Sequence, residues 1–315
     1  MELDYNRIDP ELLPLLDVFP PLEVSREGLS EVREVIAQSR DVVKPDGLIE
    51  EVRSLITKDA EVPLYVYRKS HRANQPALLW IHGGGYVMGS PEDQRAIDFA
   101  FEGDITVVSV DYRLAPEHPF PAGLNDCYEA LRWMIDNAEE LGIDPSRLAI
   151  GGASAGGGLA AGLALKNRAE ANHPLCFQLL LYPMIDNLHD TESGQITNHP
   201  IWTRASSFNA WEMYFNGEPG PDASPYAAAS RADDLSGLPP AYICVGVEDL
   251  FRDEDIDYAK RLMAVAVPCE LAIFPGVYHA AEVFLPDTVI SRRMTRSITR
   301  ALFDALIEGS SEPHA

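Results

Sequence analysis

The segment Arg147–Gly158 places a serine between glycines at a spacing that could support nucleophilic chemistry. Ser154 is the centre of the pattern Gly152-x-Ser154-x-Gly156, between an apolar run and an apolar helical pattern. A sharp turn from strand to helix leaves no room for side chains two residues from the serine, which explains the glycines. The free N–H groups at the start of the helix would favour a developing negative charge. The pattern therefore predicts a nucleophilic serine, with phosphate binding by a glycine-rich turn as the alternative.

A serine hydroxyl becomes a good nucleophile only when a base accepts its proton and an acid orients that base. On a sheet that presents the nucleophile after its fifth strand, the acid and then the histidine follow later in the chain. Only His279 and His314 come late enough, and His314 lies in a polar tail. His279 directly follows a predicted strand, at the level of the sheet expected for Ser154. We therefore predict that His279 is the base.

The acid is expected in the segment that follows the predicted strand 241–245. This segment holds Glu248, Asp249 and Asp253. We predict that Asp249 is the acid, and the adjacent Glu248 is the alternative. Asp253 is instead predicted to cap a helix that begins at Glu254.

Acyl transfer also requires hydrogen-bond donors for the oxyanion of its tetrahedral intermediate. The sequence His82-Gly-Gly-Gly-Tyr86 directly follows a predicted buried strand. Its glycines allow the backbone to pass close to a substrate. We predict that the N–H groups of Gly83 and Gly84 are donors, together with that of Ala155. The alternative is a flexible glycine-rich turn, and a phosphate loop is disfavoured because no Gly-Lys-Ser/Thr follows.

Length and charge limit the classes of function. The chain has 315 residues, enough for one large α/β domain or two smaller ones. Its formal net charge of −24 would repel nucleic-acid phosphates and anionic membranes, so we expect neither as a partner. A well-hydrated surface accounts for this charge; adaptation to salt is an alternative that charge alone does not distinguish.

The first residues and the cysteines indicate the compartment. The N-terminus lacks the basic start and apolar core of a signal peptide, and no apolar run is long enough to span a bilayer. We interpret the widely spaced cysteines as buried thiols rather than disulfides or metal ligands. We therefore expect a cytoplasmic protein. The cysteines are Cys127, Cys176, Cys244 and Cys269.

Strand and helix patterns alternate along most of the chain. This predicts an α/β fold with a mostly parallel sheet of about eight strands and helices on both faces. Residues 48–56 and 62–67 alternate apolar and polar side chains around a turn, as in an antiparallel hairpin. The later strands are predicted at 77–81, 105–110, 148–151, 177–181, 241–245 and 270–274. Helices are predicted at 91–101, 122–137, 155–169, 254–266 and 289–307.

Two segments outside this alternation are predicted to form one helical cap over the site. The first contains a helix from Ser30 to Arg40, with Ser30 as its N-cap and Val32, Val35 and Ile36 on one face. The second follows a core strand and is too long for a loop. The predicted division is cap 1–45, core 46–185, cap 186–225 and core 226–315. Residues 1–45 are mostly helical in pattern, and an apolar stripe precedes the helix at Ser30, which is the second; the stripe is formed by Leu12, Leu13, Leu15, Leu16, Val18 and Phe19 and broken by Pro14, Pro20 and Pro21.

Aromatic side chains in the second cap segment are predicted to form an apolar pocket wall. The segment follows a strand at the carboxyl edge of the sheet, where ligands bind in such folds. For each aromatic taken alone, packing between cap and core is the alternative. The residues are Trp202, Phe208, Trp211 and Tyr214.

Taken together, these motifs resemble those of the hormone-sensitive-lipase-like group of α/β-hydrolases, bacterial carboxylesterases with an N-terminal cap. The matching segments follow the family's order and span most of the chain. They are His82-Gly-Gly-Gly-Tyr86, Asp111-Tyr-Arg-Leu-Ala-Pro-Glu-His-Pro-Phe-Pro-Ala122, Gly152-Ala-Ser-Ala-Gly-Gly157, Asp249-Leu-Phe-Arg-Asp-Glu254 and His279.

The resemblance implies the α/β-hydrolase fold and a serine carboxylesterase. Such an enzyme hydrolyses short- to medium-chain acyl esters through an acyl-enzyme, without metal or cofactor. By motif match, the nucleophile is Ser154, the acid Asp249 and the base His279. The resemblance also implies a small-molecule ester as the partner and a homodimer through the last strand, here 270–274.

Three positions depart from the family pattern. The family usually has Asp or Thr in place of Ala153, and often Gly-Phe in place of Ala280-Ala281 after the histidine. It often has Asp-Pro-Leu where this chain has Asp249-Leu-Phe. The segment 111–113 is interpreted as a buried polar brace beside the site.

Other activities on the same scaffold are alternatives to ester hydrolysis. A related hydrolase could act on amide or aryl-acyl substrates, or the triad could serve a dehydratase, and the pocket decides between these. A non-catalytic ligand-binding receptor is disfavoured, because such a receptor is expected to lose a triad residue and this chain keeps all three. Action on water-insoluble fat is also disfavoured, since nothing resembles an interfacial patch.

Overall fold

The computed structural model describes residues 1–18, 23–39 and 41–308. Its strands are β1 (Ile49–Ile56), β2 (Glu61–Arg68), β3 (Gln75–Ile81), β4 (Thr106–Val110), β5 (Ile143–Ala153), β6 (Phe177–Leu181), β7 (Ala241–Gly246) and β8 (Cys269–Phe274). Its helices are α1 (Leu13–Leu16), α2 (Leu29–Ser39), α3 (Gln94–Gly103), α4 (Ala122–Asp136), α5 (Ala138–Leu141), α6 (Ala155–Glu170), α7 (Arg204–Phe215), α8 (Arg252–Ala264), α9 (Ala281–Phe284) and α10 (Val289–Phe303), which a π-helical turn at Asp304–Glu308 extends. Short 3-10 helices cover Tyr5–Arg7, Ser193–Gln195 and Ala229–Arg231.

The strands form one sheet in the order β1-β2-β4-β3-β5-β6-β7-β8 within the described residues. β1 and β2 are the predicted antiparallel hairpin, and β2 also pairs antiparallel with β4. All pairs from β4 to β8 are parallel. The predicted α/β fold with a mostly parallel sheet of about eight strands is confirmed.

Side chains of the central strands alternate between two hydrophobic cores, one on each face of the sheet. In β3, Ala77, Leu79 and Ile81 belong to one core. Leu78 and Trp80 belong to the other. All of β3 is buried because helices cover both faces, which explains its continuous apolar sequence.

Helix α6 approaches the neighbouring backbone closely because glycines leave its inner face without Cβ atoms. A Cβ at Gly156 would overlap the Ile81 carbonyl oxygen. A Cβ at Gly162 would overlap the Tyr226 carbonyl oxygen. Glycine weakens a helix by about 1 kcal/mol relative to alanine, so the small residues serve close packing here rather than helix stability.

Helix α2 begins at Leu29, so the prediction that Ser30 is its N-cap is wrong. Val32 and Ile36 pack against the core, as predicted. Val35 does not share this face and is 50% exposed. Residues 32 and 36 are four apart and lie one above the other, whereas residue 35 lies about 100° around the helix from residue 36.

The prediction that Asp253 caps helix α8 is also wrong. The helix begins at Arg252, so Asp253 lies inside its first turn. The Asp253 carboxylate accepts a hydrogen bond from the backbone N–H of Ser193 at 2.8 Å and another from the side chain of Arg252 at 2.6 Å. A tertiary contact with the 186–225 segment thus replaces the local cap.

The apolar stripe near the N-terminus is not continuous. Leu12 is fully buried, but Val18 is 77% exposed. Pro14 does not break the stripe, because it lies in the first turn of α1 where the missing N–H costs no helical hydrogen bond. The other residues named in predictions for the two ends of the chain lie outside the described residues: Phe19, Pro20, Pro21, Arg40 and His314.

The segment 186–225 contains helix α7, and this helix contacts the N-terminal segment. The Ser206 hydroxyl accepts a hydrogen bond from the Val24 N–H at 3.1 Å. The Asn209 side-chain amide donates to the Val24 carbonyl at 2.8 Å. These bonds join the two segments assigned to one cap; the boundaries at residues 45, 185 and 225 stay a prediction.

All four cysteines are free. Cys127 and Cys244 are buried, as predicted, but Cys176 and Cys269 are partly exposed. Across residues 1–18, 23–39 and 41–308, no helix is both long and apolar enough to cross a membrane. The cytoplasmic location stays a prediction.

Replacing Gly162 by alanine is expected to lower the free energy of unfolding by about 1–3 kcal/mol. The new Cβ would meet a backbone carbonyl, which cannot rotate away as a side chain could. Gly217→Ala is a suitable control, because nothing lies within 4 Å of its Cβ position. Urea unfolding measures both variants, and equal stability of the two would contradict the close approach of α6.

Candidate active site

Ser154 lies on the turn between β5 and α6 in a strained backbone conformation. Its φ of 56° and ψ of −120° are rare for a residue with a side chain. The Ser154 N–H donates to the Leu181 carbonyl at the end of β6 at 2.9 Å, which fixes the turn to the sheet. A Cβ at Gly152 would overlap the Gly156 carbonyl oxygen. The spacing of the glycines therefore has the steric cause inferred from the sequence.

The structure brings Ser154, His279 and Asp249 together in one hydrogen-bonded series. His279 Nε2 lies 3.0 Å from Ser154 Oγ, and His279 Nδ1 lies 2.9 Å from Asp249 Oδ2. All three residues are buried, and Ser154 retains 8% exposure. A carboxylate that accepts a hydrogen bond from Nδ1–H leaves Nε2 free to accept the serine proton. The arrangement can therefore activate the Ser154 oxygen as a nucleophile.

The alternative acid, Glu248, is directed toward a different partner. Its Oε1 lies 3.2 Å from the guanidinium of Arg7. Burial raises the pKa of Glu248, and the charge of Arg7 partly opposes this rise. The geometry favours Asp249 as the partner of His279.

The N-terminal segment braces the loop that carries His279. The Asp9 N–H donates to the Gly276 carbonyl at 2.9 Å. The Tyr278 hydroxyl donates to the Leu12 carbonyl at 3.0 Å. The sequence did not predict these contacts, because the partners are more than 260 residues apart along the chain.

Two aromatic rings flank the imidazole of His279. The ring centroids of Tyr182 and His279 are 4.9 Å apart, and the planes meet at 71°. Those of Phe251 and His279 are 5.1 Å apart, and the planes meet at 89°. Edge-to-face contacts of this kind restrict ring orientation. Neither residue was predicted for the site; the position of Tyr182 directly after β6 was the available signal.

The glycine-rich loop after β3 lies beside the serine. A Cβ at Gly83 would come within 3.4 Å of the Ser154 Cβ. Gly84 has a φ of 118°, which glycine adopts readily and other residues do not. No backbone hydrogen bond to a described residue uses the N–H of Gly83 or Gly84. Ala155 is the first residue of α6, where an N–H has no acceptor within the helix.

The segment 111–113 braces this loop through Tyr112. The Tyr112 hydroxyl donates to the His82 carbonyl at 3.0 Å, and the two rings stack with centroids 4.3 Å apart. The guanidinium of Arg113 forms an ion pair with the buried carboxylate of Asp126 through two of its nitrogens, Nε and Nη2. These contacts fit the structural role inferred for the segment.

Three of the four predicted pocket aromatics pack on the glycine-rich loop. A Cβ at Gly85 would overlap the ring of Trp202. The ring centroids of Trp211 and Tyr214 lie 5.0 and 4.1 Å from that of Tyr86. These side chains therefore form a wall that joins the cap segment to the predicted oxyanion donors.

Phe208, the fourth, packs on a buried cluster between α7 and α8. Its ring centroid lies 5.2 Å from that of His189. His189 Nε2 lies 2.8 Å from Ser207 Oγ, and His189 Nδ1 lies 3.5 Å from Glu254 Oε2. Burial lowers the pKa of His189 to about 4 and raises that of Glu254 well above its usual value. The cluster links the cap segment to the core and was not predicted.

Comparisons with known proteins agree with this fold. A family model described as alpha/beta hydrolase fold matches residues 78–283. Carboxylesterase NlhH of Mycobacterium tuberculosis is 39% identical over 290 residues, which cover 86% of this chain and 88% of that protein. Arylesterase of Saccharolobus solfataricus is 31% identical over 306 residues, which cover 94% and 98%. A solved structure titled Bacterial Heroin Esterase is 39% identical and gives a TM-score of 0.90, covering 96% of this chain and 99% of that one.

Acid is expected to destabilise the protein through His189. The unfolded chain binds a proton at this histidine below about pH 6.5, whereas the native pKa of His189 is about 4, so stability falls as the pH drops through that window. Between pH 7.5 and 5 the loss is about 2 kcal/mol. The His189→Gln variant should lack this part of the pH dependence of the free energy of unfolding, which urea unfolding at several pH values measures. Identical slopes for the variant and the wild type would contradict a buried, neutral His189.

Proposed function

The chain belongs to the hormone-sensitive-lipase-like group of α/β-hydrolases and is a carboxylic ester hydrolase, and from this premise we propose that it works through the triad Ser154, His279 and Asp249. The observation that carries the proposal is the series of two hydrogen bonds, 3.0 and 2.9 Å long, that joins the three side chains. We further propose short- to medium-chain acyl esters as substrates.

In the proposed first step, Ser154 Oγ attacks the carbonyl carbon of the ester while His279 Nε2 accepts its proton. Asp249 stabilises the imidazolium that forms. The N–H groups of Gly83, Gly84 and Ala155 donate to the oxyanion of the tetrahedral intermediate. His279 then returns the proton to the leaving alcohol, and an acyl-enzyme on Ser154 remains.

In the second step, His279 accepts a proton from a water molecule, which attacks the acyl carbon. The tetrahedral intermediate collapses, Ser154 Oγ leaves as the proton returns to it, and the carboxylic acid is released. No metal or cofactor takes part in this proposed sequence. The aromatic wall formed by Trp202, Trp211 and Tyr214 supports an acyl pocket of limited length, because these large side chains are buried against the loop that holds the oxyanion.

A homodimer through β8 is a further part of the proposal. β8 lies at one edge of the sheet, with pairing only to β7 among the described strands. Ile273 on this strand is 39% exposed. An edge strand with an exposed apolar side chain can pair with a second copy.

Ser154→Ala should lower kcat/KM by about 10⁴-fold or more without loss of fold, because the remaining site has no nucleophile. The test uses p-nitrophenyl acetate, butyrate, octanoate and laurate, with circular dichroism as the control for folding. Wild-type turnover that decreases with acyl length supports a short-chain pocket. Substantial activity of the variant would remove Ser154 from the proposed mechanism, and a folded wild type inactive on all four esters would contradict the substrate class.

Asp249→Asn should lower kcat by about 10³- to 10⁴-fold, because the amide no longer holds the tautomer of His279 that accepts the serine proton. Glu248→Gln is the matched control, since it makes the same change at the neighbouring carboxylate that faces Arg7. Its kcat should stay close to that of the wild type. The opposite ranking of the two variants would assign the acid to Glu248.

A further inference from the structure

We infer that Arg95, Tyr182 and Glu282 form a positioning network that holds the segment bearing His279 against the sheet. This inference rests on the proposed function, in which His279 is the base. Among the described residues, no hydrogen bond joins any of these three side chains to Ser154, so we treat them as positioning residues that act through His279.

The network centres on one carboxylate oxygen of Glu282. Its Oε1 accepts a hydrogen bond from the Tyr182 hydroxyl at 2.6 Å and another from the Arg95 guanidinium at 2.8 Å. The guanidinium also donates to the Tyr182 hydroxyl oxygen, so the three groups contact one another. Glu282 is only 5% exposed and Tyr182 only 1%. Charge-assisted bonds that are shielded from water in this way are stronger than exposed ones.

The segment that follows His279 has little stability of its own. Helix α9 has four residues, too few to form an isolated helix. Ala280, which precedes it, has a φ of 56°, a left-handed conformation that costs an alanine free energy. The conformation of this segment must therefore come from tertiary contacts. Glu282 lies three residues after His279, and its carboxylate provides a charged tertiary contact for this segment.

Tyr182 connects the network to the imidazole. Its ring lies edge to face with His279, and its hydroxyl is fixed by Glu282. Burial raises the pKa of Tyr182 well above its usual value, so the hydroxyl keeps the proton that it donates. The Tyr182 N–H donates to the Cys244 carbonyl at 2.7 Å, and its φ is 35°. The backbone of Tyr182 thus fixes the position of its ring relative to the sheet. The hydrogen bond from the Tyr182 hydroxyl then fixes Glu282 relative to the sheet as well.

Arg95 anchors the network to helix α3. The Asp93 side chain caps α3 by accepting from the Arg95 N–H at 2.9 Å, and Trp80 Nε1 donates to the same carboxylate at 3.1 Å. A cation near a helix N-terminus is unfavourable, because that end of the helix is already positive. The carboxylate of Glu282 compensates for this charge. The pair therefore fixes both α3 and the His279 segment.

The test compares Glu282→Gln and Tyr182→Phe with a control that has the same kind of ion pair elsewhere. Glu51→Gln is that control, because Glu51 lies 3.4 Å from the nearly buried Arg68. This pair lies on the β1–β2 hairpin. It is near the end of the sheet where the parallel strands begin, opposite the end that carries Ser154 and His279. Each variant is assayed for kcat and KM on p-nitrophenyl butyrate, for the rate of phosphorylation of Ser154 by paraoxon, and for thermal stability.

Glu282→Gln should lower kcat about tenfold or more and Tyr182→Phe about threefold, with KM within about twofold of the wild type, because small displacements of a catalytic group slow the reaction. The paraoxon rate should fall in parallel, since phosphorylation of the serine needs the same base. Glu51→Gln should lower only thermal stability.

Wild-type kcat and paraoxon rates in both network variants, with a loss of stability like that of Glu51→Gln, would overturn the inference. If Glu282→Gln does not fold, Tyr182→Phe decides, because it keeps the ring and the Arg95–Glu282 ion pair. Ser154→Ala separates the two proposals. Turnover that persists in Ser154→Ala contradicts the proposed function itself, whereas a dead Ser154→Ala beside fully active network variants contradicts only the network.

Discussion

The close approach of helix α6 to the backbone of the sheet is the constraint on which the site depends. Ser154 can take its strained conformation only because Gly152 and Gly156 have no Cβ atoms to collide with neighbouring carbonyl groups. The same approach brings the start of α6 beside the glycine-rich loop, where the Cβ position of Gly83 lies 3.4 Å from the Cβ of Ser154. The fully buried strands β3 and β6, which flank β5, supply the rigidity that holds this strain. Chemistry and packing therefore require the same small residues.

Much of the fold and part of the site could be predicted from the sequence, for reasons that are local. Continuous apolar runs indicate strands that are covered on both faces. The glycines around Ser154 are needed because the turn itself leaves no room for Cβ atoms. His279 could be selected because it was the late histidine beside a predicted strand. Glu248 and Asp249 could not be separated by pattern alone, since adjacent carboxylates have the same chemistry. Their partners differ in the structure, Arg7 for Glu248 and His279 for Asp249, and this difference supports the proposed assignment.

Contacts between distant parts of the chain account for what the sequence did not show. Asp253 would cap a helix in isolation, but the backbone of Ser193 takes its carboxylate. Phe208 has the large aromatic side chain expected of a pocket residue, yet it packs on His189, which in turn lies beside Glu254 of α8. Tyr182 and Glu282 have no motif, and only the folded chain joins them to each other and places Tyr182 beside the imidazole. In each case the deciding partner is far away in sequence, where periodicity and spacing carry no information.

The brace between Tyr278 and Leu12 has a consequence for the order in which the protein is made. Its partners are 266 positions apart, and Ser154 and His279 are 125 positions apart. A ribosome releases the chain from the N-terminus, so a nascent chain that ends between residues 249 and 278 holds Ser154 and Asp249, the proposed nucleophile and acid, but not His279, the proposed base. The N-terminal segment also has no loop to brace until that point. On the proposed mechanism, hydrolytic activity can therefore arise only late in synthesis. By then all the strands that hold Ser154 in its strained conformation have already emerged.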